Sequence, residues 1–291
     1  MTQATRLQFS DTPGTLSQYA RALMAKGSKQ KEPQLPQLEA LQTGVKASSA
    51  KVAAYAEVCG FDKTSPVLPL TYPHILAFPL HMELMLHKSF PLALMGLVHI
   101  RNRITQHRAI GVTEKLDIRC FIAGSERTDK GLEFDIKAEV TVAGELVWES
   151  VSTNLARIGG GAKKAATNKA RPALPTFDMA ERWMLSTDLG RRYARVSGDS
   201  NPIHLFALSA KLFGFKSHIA HGMWSKARTA AALQKKLGVE ACTIEAEFKL
   251  PVFLPTTVEL NYTSDNSAIN FDLRDIKGEK VHMKGALQAL K

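Results

Sequence analysis

The chain has 291 residues, 45% of them hydrophobic, and a formal net charge of +11. That composition excludes a disordered or fibrous chain and suffices for one large domain or two of ordinary size, while the charge implies attraction to polyanions without choosing among nucleic acid, a membrane surface and a phosphorylated small molecule. Three cysteines, Cys59, Cys120 and Cys242, are an odd number without metal-like spacing, and they read as reduced, packed thiols rather than bridges or zinc ligands.

Residues 1–20 carry Arg6, Asp11 and Pro13 and lack an apolar core, so no signal peptide is expected. Lys26, Lys29 and Lys31 follow in what reads as solvated connector. A helical opening is expected in the first half of the chain, and the pattern over 74–88 predicts a longer helix. The longest apolar run, 90–98, is broken by Pro91 and too short to span a bilayer, which implies a soluble, cytoplasmic chain with no membrane partner. His81, His87 and His99 fall in apolar stretches and read as packed or half-exposed residues. β-Branched and alternating patterns predict strands over 97–104, 112–122, 132–142 and 145–155.

Gly159-Gly160-Gly161 followed by Ala-Lys-Lys-Ala-Ala-Thr-Asn-Lys-Ala-Arg-Pro is poor in large apolar residues and marks a linker, 157–175, between an N-terminal unit with an extension, 1–156, and a C-terminal unit, 176–291. Its Lys163, Lys164, Lys169 and Arg171 supply part of the charge excess as solvated connector. The two units share patterns. Tyr55-Ala-Glu-Val-Cys-Gly-Phe61 matches Tyr193-Ala-Arg-Val-Ser-Gly-Asp199 at an offset of 138, and Phe134-Asp-Ile-Lys matches Phe271-Asp-Leu-Arg at 137, so an internal duplication is expected. Tyr55 and Tyr193 occupy equivalent positions and read as packing residues. Zinc-finger spacing, RNP-like strands and helix-turn-helix patterns are absent from the sequence, which leaves nucleic acid a weak alternative.

In the second unit, Tyr-Ala-Arg-Val-Ser-Gly-Asp-Ser-Asn-Pro-Ile-His spans 193–204 and sets Asp199 and His204 on a turn that Pro202 stiffens before a short helix over 205–213, capped by Ser200 or Asn201. His221-Gly222-Met223 opens a helix over 223–237 that stops at Gly238. Strands are predicted over 242–252, 257–263, 268–275 and 281–290. Each unit is therefore α+β, a long helix burying its apolar face on an antiparallel sheet. Two units paired through edge strands make one continuous sheet, with a groove for ligand at the unit interface.

A carboxylate, an imidazole and the backbone amide of Gly222 at a helix N-terminus, facing one carbonyl, suit the addition or removal of water. Structural readings stand beside that one. Asp199 would also serve as a helix cap, Gly222 as a turn glycine, and Ser197 as a structural hydroxyl. A metal site built from His204, His218 and His221 is disfavoured, because His218-Ile-Ala-His221 precedes a glycine and no Glu stands as base; the latter two read as surface or supporting histidines. Trp183 and Trp224 read as core or pocket-wall aromatics.

Tyr193 to His204, continued through Ala210, resembles the hydratase 2 signature of the MaoC-like dehydratase family, the (R)-specific enoyl-CoA hydratases of the hot-dog fold. Tyr193, Ser197, Gly198, Asp199, Asn201, Pro202, Ile203, His204 and Ala210 carry the resemblance, and His221-Gly222-Met223 and Phe248-Lys-Leu-Pro-Val-Phe253 extend it over most of 180–262. It implies a double hot-dog chain that reversibly adds water to a trans-2-enoyl thioester to give the (R)-3-hydroxyacyl thioester. Asp199 and His204 then match the catalytic pair and Gly222 the glycine whose amide meets the thioester oxygen, while Asn201, His221 and Met223 are expected against the substrate. Which of the pair holds the water more directly stays open.

The first repeat has Phe61 where the second has Asp199, and no Asn-Pro-Ile-His follows it, so one active site per chain is expected. The resemblance implies that the degenerate half shapes the acyl pocket. A polar residue often found after the His-Gly-Met motif is replaced here by Ala230, with Thr229 beside it. No metal or redox cofactor is implied, coenzyme A entering only as part of the substrate. Alternatives are a 3-hydroxyacyl dehydratase acting on an acyl carrier protein, a hot-dog acyl-CoA thioesterase, and a non-catalytic acyl-CoA-binding module. Chain length, branching, pathway and the choice between monomer and homodimer stay open.

Overall fold

The computed structural model describes residues 5–25, 27, 33–158, 174–265 and 267–290. The connector lysines 26, 29 and 31 and positions 159–173 of the expected linker lie outside the described residues. In chain order the elements are β1 (Thr5–Phe9), α1 (Thr15–Met24), β2 (Leu38–Lys46), α2 (Ser49–Cys59), α3 (Tyr72–Leu86), β3 (Val98–Gln106), β4 (Lys115–Thr128), β5 (Gly131–Val142), β6 (Glu145–Ala156), β7 (Met179–Leu185), α4 (Leu189–Ser197), α5 (Pro202–Leu205), α6 (Ala207–Leu212), α7 (Gly222–Leu237), β8 (Cys242–Phe248), β9 (Thr256–Ser264), β10 (Ala268–Asp275) and β11 (Val281–Ala289).

The strands form one 11-stranded sheet in the order β1-β2-β4-β5-β6-β3-β8-β11-β10-β9-β7. Every described pairing is antiparallel except β1 on β2. Alternation puts one face against the helices: in β4, Leu116, Ile118 and Cys120 are buried between exposed Lys115, Asp117 and Arg119. α3 is apolar nearly all round and lies buried, with Ala77, Leu80 and Leu84 in the core. α7 takes the matching place in the second half through Ala227, Ala230 and Leu233. The resulting double hot-dog has the α+β architecture expected of the sequence.

The halves meet where β3 pairs with β8, in a register that sets Thr105 opposite Thr243 and Ile104 opposite Ile244. The two threonine hydroxyls lie 3.1 Å apart across the pair and 138 residues apart in sequence. A residue facing its own repeat equivalent lies on a local twofold, the relation a duplicated unit would give. Helices α2 and α4 obey it too: both stop at a left-handed glycine, Gly60 (φ 81°) and Gly198 (φ 76°), and the Tyr55 and Tyr193 rings meet at 6.1 Å.

Three expectations need correction. The short helix over 205–213 is two helices, α5 and α6, because Phe206 between them is extended (φ −142°, ψ 151°). The strand expected over 242–252 ends at Phe248, ahead of Pro251, whose missing N–H could not continue the ladder. β1, α1, β2, β7 and α4 were not anticipated. The cysteines are free and buried, as composition implied.

Candidate active site

Asp199 follows the left-handed Gly198 that ends α4, so the chain turns sharply and the carboxylate points back under its own loop. Asn201 N–H donates to Asp199 Oδ1 at 3.2 Å, and the Asn201 side-chain oxygen caps α5 by accepting from Ile203 N–H at 3.3 Å. Asn201 is thus the cap, one of the two residues anticipated for it, and Pro202 occupies the first turn. That single turn of helix carries His204 inward, to 8% exposure.

His204 Nδ1 donates to Ile219 O at 2.8 Å. A carbonyl only accepts, so the neutral ring carries its proton on Nδ1 and keeps a lone pair on Nε2. His221 Nε2 donates to the Asp199 backbone carbonyl at 2.9 Å by the same logic, and its ring stacks on His204 with centroids 3.7 Å apart. The segment before α7 is held for this by Ala220 N–H on Val252 O and by the Leu254 N–H on His218 O. His218 and His221 are not surface residues: both are buried, and His218 Nε2 donates to Thr187 O at 2.7 Å, pinning the loop.

Gly222 opens α7, whose first-turn N–H groups have no intrahelical acceptor. A Cβ at Gly222 would lie 3.0 Å from the Phe248 ring, so the glycine lets the helix end approach β8 closely. Met223 beside it is buried in the core. Thr229 and Ala230, two turns on, are also fully buried.

Burial alone would raise the Asp199 carboxyl, but His221, His204 and hydrogen bonds from Tyr19 and Asn201 outweigh it and hold it below the usual range. Its side chain keeps 29% exposure, which leaves room for solvent. Burial lowers His204, against the pull of Asp199 and the Ile219 carbonyl, and pushes His221 down to about 3. Near neutrality the site therefore holds a carboxylate and two uncharged rings, and one ligand-type atom from each of Asp199, His204 and His221 lies within 4.8 Å of the others.

Such a trio has the donor types for a metal ion. Against this, His221 Nε2, the atom 3.9 Å from Asp199 Oδ2, spends its proton on the Asp199 carbonyl and so has no lone pair to offer. The donor set suits proton transfer better than coordination.

Two residues escaped sequence reasoning. Tyr19 of α1 donates its hydroxyl to Asp199 Oδ1 from 180 residues away, a separation that leaves no local signal. Lys226, one turn into α7, is fully buried and donates Nζ to Asn102 O at 2.8 Å, to Asn102 Oδ1 and to Ile244 O at 3.0 Å. Its signal was present: a lysine on the same face as Met223, Ala230 and Leu233. Two cavities of about 300 Å³ lie away from the Asp199 carboxylate. One, beside Phe61, is walled by Leu68 and Val239, and the other by Trp224, Arg192 and Arg228.

Comparison with known proteins follows the same lines. The family model for the MaoC like domain matches residues 170–285. The 3-hydroxyacyl-thioester dehydratase X of Mycobacterium tuberculosis is 35% identical over 243 residues, 83% of this chain and 85% of the relative. A crystal structure of HtdX from the same organism superposes with a TM-score of 0.75 at 32% identity, covering 87% of this chain and 100% of the other. A MaoC-like dehydratase of Phytophthora capsici, 19% identical, shares the fold at a TM-score of 0.72 over 90% of this chain and 98% of its own.

Proposed function

The chain belongs to the family of MaoC-like dehydratases, and from that premise we propose that it reversibly hydrates trans-2-enoyl-CoA to (R)-3-hydroxyacyl-CoA, with Asp199 and His204 as the catalytic pair and Gly222 N–H as the oxyanion donor. One observation carries the reading. Asp199 Oδ1 is tied by Tyr19 and Asn201, which leaves Oδ2 for a water, and His204, one of whose ring nitrogens lies within 4.8 Å of a carboxylate oxygen, keeps a free lone pair on Nε2. Water is a weak nucleophile near neutral pH and needs such a proton acceptor.

In the forward direction the pair takes a proton as the water oxygen bonds to the β-carbon. The double-bond electrons move toward the thioester oxygen, where Gly222 N–H and the positive end of the α7 dipole meet the charge. Asp199 and His204 both begin without a transferable proton at the working atoms, so the proton taken from water is the one delivered to the α-carbon. Dehydration reverses these steps. His221 and Asn201 act by fixing the Asp199 loop, and Met223, next to Gly222 in the chain, packs into the core and anchors the start of α7.

No metal or redox cofactor takes part in this reading, so dialysis against a chelator should leave turnover unchanged. Coenzyme A is the favoured carrier because its phosphates suit a chain of net charge +11. The test is to mix the protein with crotonyl-CoA and a longer trans-2-enoyl-CoA, following conjugated-thioester absorbance beside a free-thiol assay. Loss of absorbance without thiol supports hydration, and thiol release would indicate a thioesterase instead. Chiral analysis of the product tests the (R) assignment, and activity only on enoyl-acyl carrier protein would move the substrate to that carrier.

A further inference from the structure

We propose that Tyr19, delivered by the N-terminal helix α1, is a positioning residue that holds the Asp199 carboxylate in its working orientation. This rests on the function proposed above. Tyr19 is 7% exposed, and its hydroxyl donates to Asp199 Oδ1. The Asn201 N–H shares that oxygen, so the two donors fix the carboxylate plane and leave Oδ2 for water.

The helix that brings the tyrosine is itself clamped. Gln18 Nε2 donates to Pro79 O at 2.8 Å and to Glu83 Oε1 at 2.9 Å, and Arg21 grips both oxygens of Glu83 at 2.8 and 3.0 Å. Pro79 and Glu83 lie on α3, the long helix of the first half, so a helix of one unit supports the carboxylate of the other. At the other end of α1, Thr15 lies 3.1 Å from where a Cβ would stand on Gly198, and packs against the turn that presents Asp199. The repeat equivalent of Asp199, Phe61, has no carboxylate to be held.

The ionisable groups around Asp199 are Tyr19 from α1, Tyr193 from α4, His204 from α5, His221 ahead of α7 and His99 from β3. Burial and the Asp199 charge raise the Tyr19 phenol far above its ordinary value, so it is a donor across the whole working pH range. Of these neighbours, only Tyr19 donates a side-chain hydrogen bond to the carboxylate.

Tyr19→Phe keeps the ring and removes the donor. Its kcat for enoyl-CoA hydration should fall about tenfold with KM nearly unchanged, as for a lost orienting group. The acid limb of the kcat/KM profile should move up by about one pH unit, because the carboxylate loses a donor that favours its charged form. A packing role alone would alter melting and leave that limb in place.

Titration of the Asp199 carboxyl by 13C NMR, assigned with Asp199→Asn, needs no substrate. An upward move in Tyr19→Phe supports the proposal, and an unchanged titration overturns it. A wild-type chain that hydrates no enoyl thioester would overturn the proposed function alone.

Discussion

At the scale of single residues, the site is a set of proton positions. His204 donates from Nδ1 and keeps Nε2 basic, while Asp199 is held ionised. Asp199→Asn and His204→Ala should each lower turnover by roughly a hundredfold or more, with circular dichroism unchanged. Wild-type rates in both would remove the pair from the mechanism. The same rings set a pH dependence of stability. His221 titrates near 3 in the folded chain against 6.5 for a free ring, so the unfolded chain binds the proton first. Its contribution is fully present above about 6.5 and is lost as pH falls toward 3; His81, at about 3, and His99, at about 4, act in the same direction. The melting temperature should therefore drop steadily below pH 6.5, and His221→Gln should flatten that slope. A flat wild-type profile would mean that these rings are charged in the fold.

Among the elements, the decisive contacts are between backbones that pass closely. Gly190, in the first turn of α4, stands where a Cβ would meet His204 O at 1.9 Å. Ala at this position forces α4 away from α5, and a shift of a fraction of an ångström in His204 is enough to misalign proton transfer. Gly190→Ala should lower kcat tenfold or more while helix content is retained, which kinetics beside circular dichroism will check. Apolar periodicity runs long in α3, α7 and the strands β4 to β6 and announces them in the amino-acid order. It marks little of α1, α4 and β7. These are short, and α1 exposes Leu16, Leu23 and Met24, so its periodicity does not mark a buried face. The break at Phe206 likewise depends on its surroundings, since Arg191 of α4 stacks on the Phe206 ring and donates to Leu205 O.

Across the whole molecule, one sheet joins the two halves, and Lys226 ties α7 to both sides of the joint through Asn102 of β3 and Ile244 of β8. Burial drives its amine well below the usual lysine range, while three oxygens accept its protons. Lys226→Ala leaves those acceptors unpaired in a cavity and should cost about 3 kcal/mol, read as a lower denaturant midpoint of unfolding. An unchanged midpoint would show that the joint does not depend on this residue. The Asp199 to His204 spacing and the repeat offset were legible in sequence because they are local chemistry and self-similarity, which the order of residues records directly. Tyr19 on Asp199, Lys226 at the joint and the burial of His218 and His221 were decided by the tertiary structure alone. Each depends on which distant backbones the closed sheet brings within hydrogen-bonding reach, and that distance is a property of the packed layers rather than of any stretch of chain.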